Sequence, residues 1–91
     1  MFEVYLSGKA SKTLRRLDKK TAGKIKRILT SLRTSPIPIR KHDVRKVSGA
    51  RDFYRIRVSD FRIVYRILWG IKEINVIKIS RKDDETYKLK R

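Results

Sequence analysis

The sequence predicts an α+β domain in which a two-helix hairpin packs on one face of a mostly antiparallel sheet of four or five strands. Three observations predict it. A short alternating apolar stretch opens the chain, and two segments with apolar residues at helical spacing follow. The second half then carries three alternating runs separated by tight turns. At 91 residues the chain has the length of one domain, spanning 1–91, with little apolar surface to spare.

The elements follow in order. In "FEVYL" the residues Phe2, Val4 and Leu6 share one side, which predicts a short N-terminal strand. Ser7 and Gly8 open a helix whose Ala10, Leu14 and Leu17 recur at helical spacing. Thr21 is placed to cap a second helix with an apolar stripe of Ala22, Ile25, Ile28, Leu29 and Leu32. "TSPIPI" ends it, because Pro36 and Pro38 cannot continue a helix and push their predecessors toward extended backbone. "VRKV" predicts a short strand that stops at Ser48 and Gly49. Stronger strands are expected near 53–59, 61–68 and 71–79. Their connections, at Ser59-Asp60 and near Trp69-Gly70, are too short for parallel crossovers and predict two antiparallel hairpins. Ser59-Asp60 is not the favoured Asn-Gly type, which predicts a loop one or two residues longer. "RKDDETYKLKR" finishes the chain as a short helix or tail begun by Asp83 and Asp84, whose charges suit a helix N-terminus.

Composition narrows the function. Lys and Arg number 26 against 9 Asp and Glu, a formal net charge of +17. Such an excess raises self-repulsion and points to a polyanionic partner: RNA, DNA, an anionic membrane surface or an acidic protein. Without cysteine there are no disulfides, no thiolate catalysis and no Cys-based zinc site. His42 is the single histidine, which excludes a His cluster. Asp83, Asp84 and Glu85 are consecutive and lack partner ligands, so neither a metal nor another cofactor is expected. No segment approaches a membrane span, and a soluble cytoplasmic protein is the default expectation. The absence of Gln, with one Asn and one Met, resembles the depletion of labile residues in heat-adapted proteins.

The stretch "FYRIRVSDFRIVYRI" (53–67) carries the sharpest signal. A two-residue turn as working register sets Val58 opposite Phe61, Arg57 opposite Arg62, Ile56 opposite Ile63 and Arg55 opposite Val64. Tyr54, Ile56, Val58, Phe61, Ile63, Tyr65 and Ile67 then meet the helices, while Arg55, Arg57, Arg62 and Arg66 share the open face, with no acid among them. Like charges directly across a strand pair destabilise by roughly a few tenths to 1 kcal/mol. An anion held between Arg57 and Arg62 would relieve that repulsion, and guanidinium forks suit phosphate oxygens. The same four residues would also serve as a solvated polar face, and position alone does not choose between binding a phosphate and cleaving at one.

"DFYRIRVSDFRIVYRI", preceded by "VRKVSG" and followed by "INVIKISRKDDETY", resembles the RelE/ParE superfamily of toxins, and the likeness covers nearly the whole chain. RelE-like members are ribosome-dependent ribonucleases that cut mRNA in the ribosomal A site and are neutralised by a RelB-type antitoxin. ParE-like members share the fold but poison DNA gyrase and lack the nuclease residues. The resemblance places the family's two basic strand residues at Arg55 and Arg57. It places the transition-state arginine at Arg62, the late basic residue at Arg81 and the tail tyrosine at Tyr87. The spacing from Arg81 to Tyr87 fits the nuclease branch. Arg66, Lys78 and Lys82 complete the expected RNA-binding set.

The resemblance implies attack by a ribose 2′-hydroxyl on the adjacent phosphate, without metal. Arg62, beside Arg57, is the natural clamp on charge building at phosphorus. Arg81 would protonate or stabilise the leaving oxygen, and Tyr87 would stack on a base or take the 2′-proton. Relatives often carry lysine where this chain has Arg55 and Arg57. Arginine does not surrender its proton, which leaves Tyr87 as the better base or catalysis as mainly electrostatic. His42, in the Pro-rich link, is read as a bystander away from the arginine face, and Trp69 as a turn-packing aromatic. The basic helix faces, including Lys12, Arg15, Lys24 and Arg27, would contact ribosomal RNA or remain solvated. Implied partners are the ribosome, mRNA and an acidic RelB-like antitoxin in a higher-order hetero-oligomer. The rival readings are a ParE-like gyrase inhibitor and a plain basic RNA-binding module.

Overall fold

The computed structural model describes residues 1–81. The expected tail helix at Asp83 and Asp84, together with Lys82 and Tyr87, lies outside the described residues. Within them the chain forms β1 (Glu3–Leu6), α1 (Gly8–Arg16), α2 (Lys19–Ser31), β2 (Asp43–Lys46), β3 (Phe53–Val58), β4 (Phe61–Leu68) and β5 (Glu73–Arg81). The α+β expectation holds: five strands in the order β1-β5-β4-β3-β2, with the helices on one face. Only the β1–β5 pair is parallel: the two helices carry the chain across one face from β1 to β2 at the opposite edge, and the antiparallel run from β2 to β5 returns beside β1.

Local chemistry sets each boundary. The Ser7 hydroxyl accepts from the Ala10 amide at 3.0 Å and caps α1 as expected. The second cap differs from expectation. Asp18, not Thr21, is the N-cap of α2, and its carboxylate accepts from the Thr21 amide at 3.1 Å. Hydrogen bonding from Thr21, through its side chain first and then its amide, lowers the Asp18 pKa below the ordinary aspartate value. Only Leu17 and Asp18 separate the helices, so their stripes converge on one core.

The core lies between the helices and the inner sheet face. Ile25, Ile28, Leu29 and Leu32 of the second helical segment meet Ile56, Val58, Ile63, Tyr65, Ile67, Ile74, Val76 and Ile79, all buried, and Ala22 is buried as well. Each fully buried aliphatic side chain contributes about 1.5–3 kcal/mol over its exposed state. Tyr65 stacks on Tyr54 with ring centroids 6.0 Å apart, and its hydroxyl donates to the Pro36 carbonyl at 2.7 Å. This bond ties the Pro-punctuated link to the sheet. Burial pushes the Tyr65 phenol pKa well above its ordinary value.

The β3–β4 connection is tighter than expected. Val58 pairs with Phe61 directly, so Ser59 and Asp60 form a two-residue turn, with Ser59 taking up the left-handed conformation at φ 52°. The β4–β5 connection spans residues 69–72, and Lys72 there is at φ 53°. Trp69 packs edge-on against Phe2 at 5.7 Å and donates its indole N–H to Asp52 at 3.2 Å, the turn-packing role expected of it.

Candidate nucleic-acid interface

The observed register of β3 and β4 matches the sequence reading at every paired position, including Arg57 opposite Arg62 and Arg55 opposite Val64. Because Ile56, Val58, Ile63, Tyr65 and Ile67 are buried against the helices, alternation turns Arg55, Arg57, Arg62 and Arg66 to the opposite, open face. The strand β2 adds a cation that the sequence reading did not single out. Arg45 pairs directly with Arg55. Two Arg–Arg pairs therefore stand side by side on one sheet face, each an unfavourable cross-strand neighbour in the free protein. The signal for Arg45 was present in "VRKV", where burying Val44 turns the following arginine outward.

Three of the four paired arginines, Arg45, Arg55 and Arg62, border a cleft of about 570 Å³ that Val64, Lys78, Ser80 and the segment 46–48 also line. Lys78 reaches this cleft through an irregularity in β5. Val64 pairs with Lys78 and Tyr65 with Val76, leaving Ile77 as an inserted residue. Strict alternation from Val76 would have turned Lys78 into the core.

Other expected site residues are placed elsewhere. Arg57 faces Asp43 on one side and Arg62 on the other. The Asp43 carboxylate lies 3.8 Å from Arg57 and 3.7 Å from Arg45. The expectation of an acid-free arginine face is corrected by this neighbour, which β2 supplies from outside the hairpin. Both contacts are solvent-exposed and hold the guanidinium groups only weakly. Arg57 also borders a second depression with His42, Lys24, Arg27, Lys41 and Ser59. His42 is therefore near one member of the arginine face, because the link after α2 folds back beside β3. Arg66 extends over the Phe53 ring at 5.6 Å, at the far end of β4 from Arg62. Arg81 pairs with Phe61, and its guanidinium carbon lies 5.3 Å from that ring's centroid. Phe61 packs against the core, so this register sets Arg81 on the helix side and does not bring it together with Arg55 and Arg62. Lys82 and Tyr87 are outside the described residues. Among the described residues no group of three His, Cys, Asp or Glu side chains could hold a metal ion, and no helix is long and apolar enough to cross a membrane.

Fold and surface together define a small, strongly basic protein that presents paired arginines on the sheet face opposite the helices. Residues 4–85 match the family of ParE toxins of type II toxin–antitoxin systems (parDE). A candidate toxin of Methanocaldococcus jannaschii, RelE1, is 34% identical over 82 residues, covering 90% of this chain and 91% of that protein. Among solved structures, the archaeal RelE–RelB complex from Pyrococcus horikoshii contains a chain that superposes with a TM-score of 0.83 at 28% identity, covering 91% of this chain and 97% of that one. The isolated Escherichia coli RelE toxin shares the fold with a TM-score of 0.77 at 24% identity, covering 99% of this chain and 95% of its own. The chain belongs to the RelE/ParE superfamily and is a RelE-like toxin of a toxin–antitoxin system.

Proposed function

We propose that the chain is a ribosome-dependent endoribonuclease that cleaves mRNA in the A site, and that an acidic RelB-like antitoxin neutralises it. The observation that carries this reading is the pair of directly opposed Arg–Arg contacts, Arg45 with Arg55 and Arg57 with Arg62, on an open face beside a cleft. Guanidinium groups gathered on one sheet face suit phosphate oxygens, and a bound phosphate would compete with the exposed Asp43 contacts to Arg45 and Arg57. The solved complexes of related RelE proteins with RelB support the antitoxin half of the reading.

In the proposed reaction a ribose 2′-oxygen attacks the adjacent phosphorus and gives up its proton, while the bond from phosphorus to the 5′-oxygen breaks. The 5′-oxygen takes a proton, and the products are a 2′,3′-cyclic phosphate and a 5′-hydroxyl. Arg62 and Arg55 stabilise the charge that builds on the non-bridging oxygens, with Lys78 on the same cleft. Arginine holds its proton throughout, so these residues act electrostatically. Tyr87 is the proposed base or base-stacking residue. Arg81 reaches the leaving oxygen only if RNA binding draws it from its Phe61 contact. In the cell the site of action is the ribosome, in the cytoplasm.

Primer extension on a defined message in ribosomes with an open A site tests the proposal. A cut within the A-site codon is expected, and Arg62→Ala is expected to slow it by about 10²–10³-fold, the usual effect of removing one transition-state charge partner. The family's ParE description favours one rival, gyrase inhibition. Intact message in programmed ribosomes, with gyrase-dependent DNA supercoiling blocked by the same folded protein, would decide for that rival.

A further inference from the structure

Beyond the arginine cleft, the open sheet face carries a second, chemically different zone. One row crosses four strands. Tyr5 of β1 pairs with Asn75 of β5, Asn75 with Arg66 of β4, and Arg66 with Phe53 of β3. All four lie on the open face, because their neighbours Val4, Leu6, Ile74, Val76, Tyr65, Ile67 and Tyr54 belong to the core or pack against it. Tyr5 is 52% exposed, although no core position requires an aromatic there. The Arg66 guanidinium carbon lies over the Phe53 ring, 5.6 Å from its centroid, and caps that ring with a cation. Asn75 sits between them with an amide that both donates and accepts.

This row lies four residues along β4 from Arg62, roughly 13 Å at the rise of an antiparallel strand. Val64 and Lys78, which pair with each other, lie between the two zones and line the cleft. The face therefore runs from paired arginines, through a lysine, to an exposed tyrosine, an amide and a half-buried phenylalanine under a guanidinium. Cations beside aromatic rings on an open sheet match single-stranded RNA, whose phosphates need charge and whose unstacked bases need flat partners. A duplex presents no free base faces to the rings.

We propose that Tyr5, Asn75 and the Arg66–Phe53 pair form a nucleobase subsite that holds an unpaired base of the RNA strand a short distance from the scissile phosphate. Tyr5 supplies the stacking face and Asn75 the hydrogen-bonding edge. The inference rests on the proposed ribonuclease reading, because it takes Arg62 as the position of the scissile phosphate.

The test uses the intact protein and a fluorescently labelled hexaribonucleotide, made 2′-deoxy throughout its centre so that it cannot be cut. Affinity is measured by anisotropy over a series of salt concentrations. Tyr5→Ala should weaken binding about tenfold, within the range of one lost base–aromatic stack, and leave the salt slope unchanged. Tyr5→Phe should bind as the parent does. A hexamer with a single abasic position scanned along it should, at one position, lose the difference between parent and Tyr5→Ala. Arg62→Ala should instead reduce the salt slope by about one unit, as loss of a phosphate contact does. Equal affinity of Tyr5→Ala and parent would overturn the subsite. A salt slope indifferent to Arg62 would overturn the phosphate assignment beneath it. The two failures are separate readings of the same titrations.

Discussion

Replacing Tyr65 by Phe tests how the core and the link after α2 are joined. Tyr65 has no solvent exposure, and its hydroxyl donates to the Pro36 carbonyl at 2.7 Å. Removing the oxygen leaves the ring and its stacking on Tyr54 in place, so near neutral pH the loss is about one hydrogen bond, roughly 1 kcal/mol. For a chain of this length that corresponds to a fall in Tm of about 4–8 °C. The pH dependence is the sharper signature. Burial raises the phenol pKa in the folded state, while the unfolded chain ionises near the ordinary tyrosine value of about 10. Above that value the unfolded state has lost a proton that the native state still holds. Stability is therefore fully present below pH 10 and falls by about 1.4 kcal/mol per further pH unit. Tyr65→Phe lacks this component, so the parent's advantage should vanish at about pH 11. Urea denaturation followed by fluorescence of the single Trp69 measures both proteins, and charges common to them cancel in the difference. A stability difference constant from pH 7 to 11.5 would refute the claim that this hydroxyl is desolvated and bonded.

Two further outcomes follow from the same contacts. Asp43→Asn removes the carboxylate within 4 Å of both Arg45 and Arg57, and should tighten RNA binding about two- to fivefold at low salt, with little change in stability; anisotropy titrations check it. Asp18→Ala removes the α2 cap and should lower Tm at neutral pH. Because the folded-state pKa of Asp18 is depressed, its contribution is present above the ordinary aspartate value and is lost as pH falls through the lowered one. Parent and variant should therefore melt together in strong acid, which thermal scans across pH would show.

Much of this structure was legible because period-two alternation is a strong constraint where one face is buried. With Ile56 and Ile63 committed to the core, the hairpin register and the four outward arginines followed. Short polar exchanges were harder to read. Asp18 and Thr21 both suit an N-cap, and only the length of α2 decides between them. The Ser59-Asp60 turn needs a left-handed serine, which the sequence does not advertise, and the strand twist on either side enforces it. Neighbours brought from a distance were not legible at all. Asp43 reaches Arg57, and His42 borders the same residue, only because β2 adds to the edge of β3. The parallel placement of β1 beside β5 likewise depends on the helices crossing the sheet.

One extra residue in β5 decides which late cations share the arginine cleft. Ile74, Val76 and Ile79 are buried, a spacing of two and then three, which a regular strand cannot satisfy on one face. The chain resolves the conflict by leaving Ile77 unpaired at the register shift, 41% exposed. Beyond it, Lys78 and Ser80 take the open face opposite Val64 and Arg62, and Arg81 takes the helix side opposite Phe61. Without the insertion, a lysine would compete for the core and Arg81 would fall in line with Arg62. The bulge thus exchanges one cation for another. Lys78 lines the cleft, and the Arg81 guanidinium lies against an aromatic ring at the strand's end. In the proposed reaction this separates a permanent phosphate-binding group from one that joins the site only when substrate displaces it. That division suits the proposed reaction, in which RNA on the ribosome would complete the site.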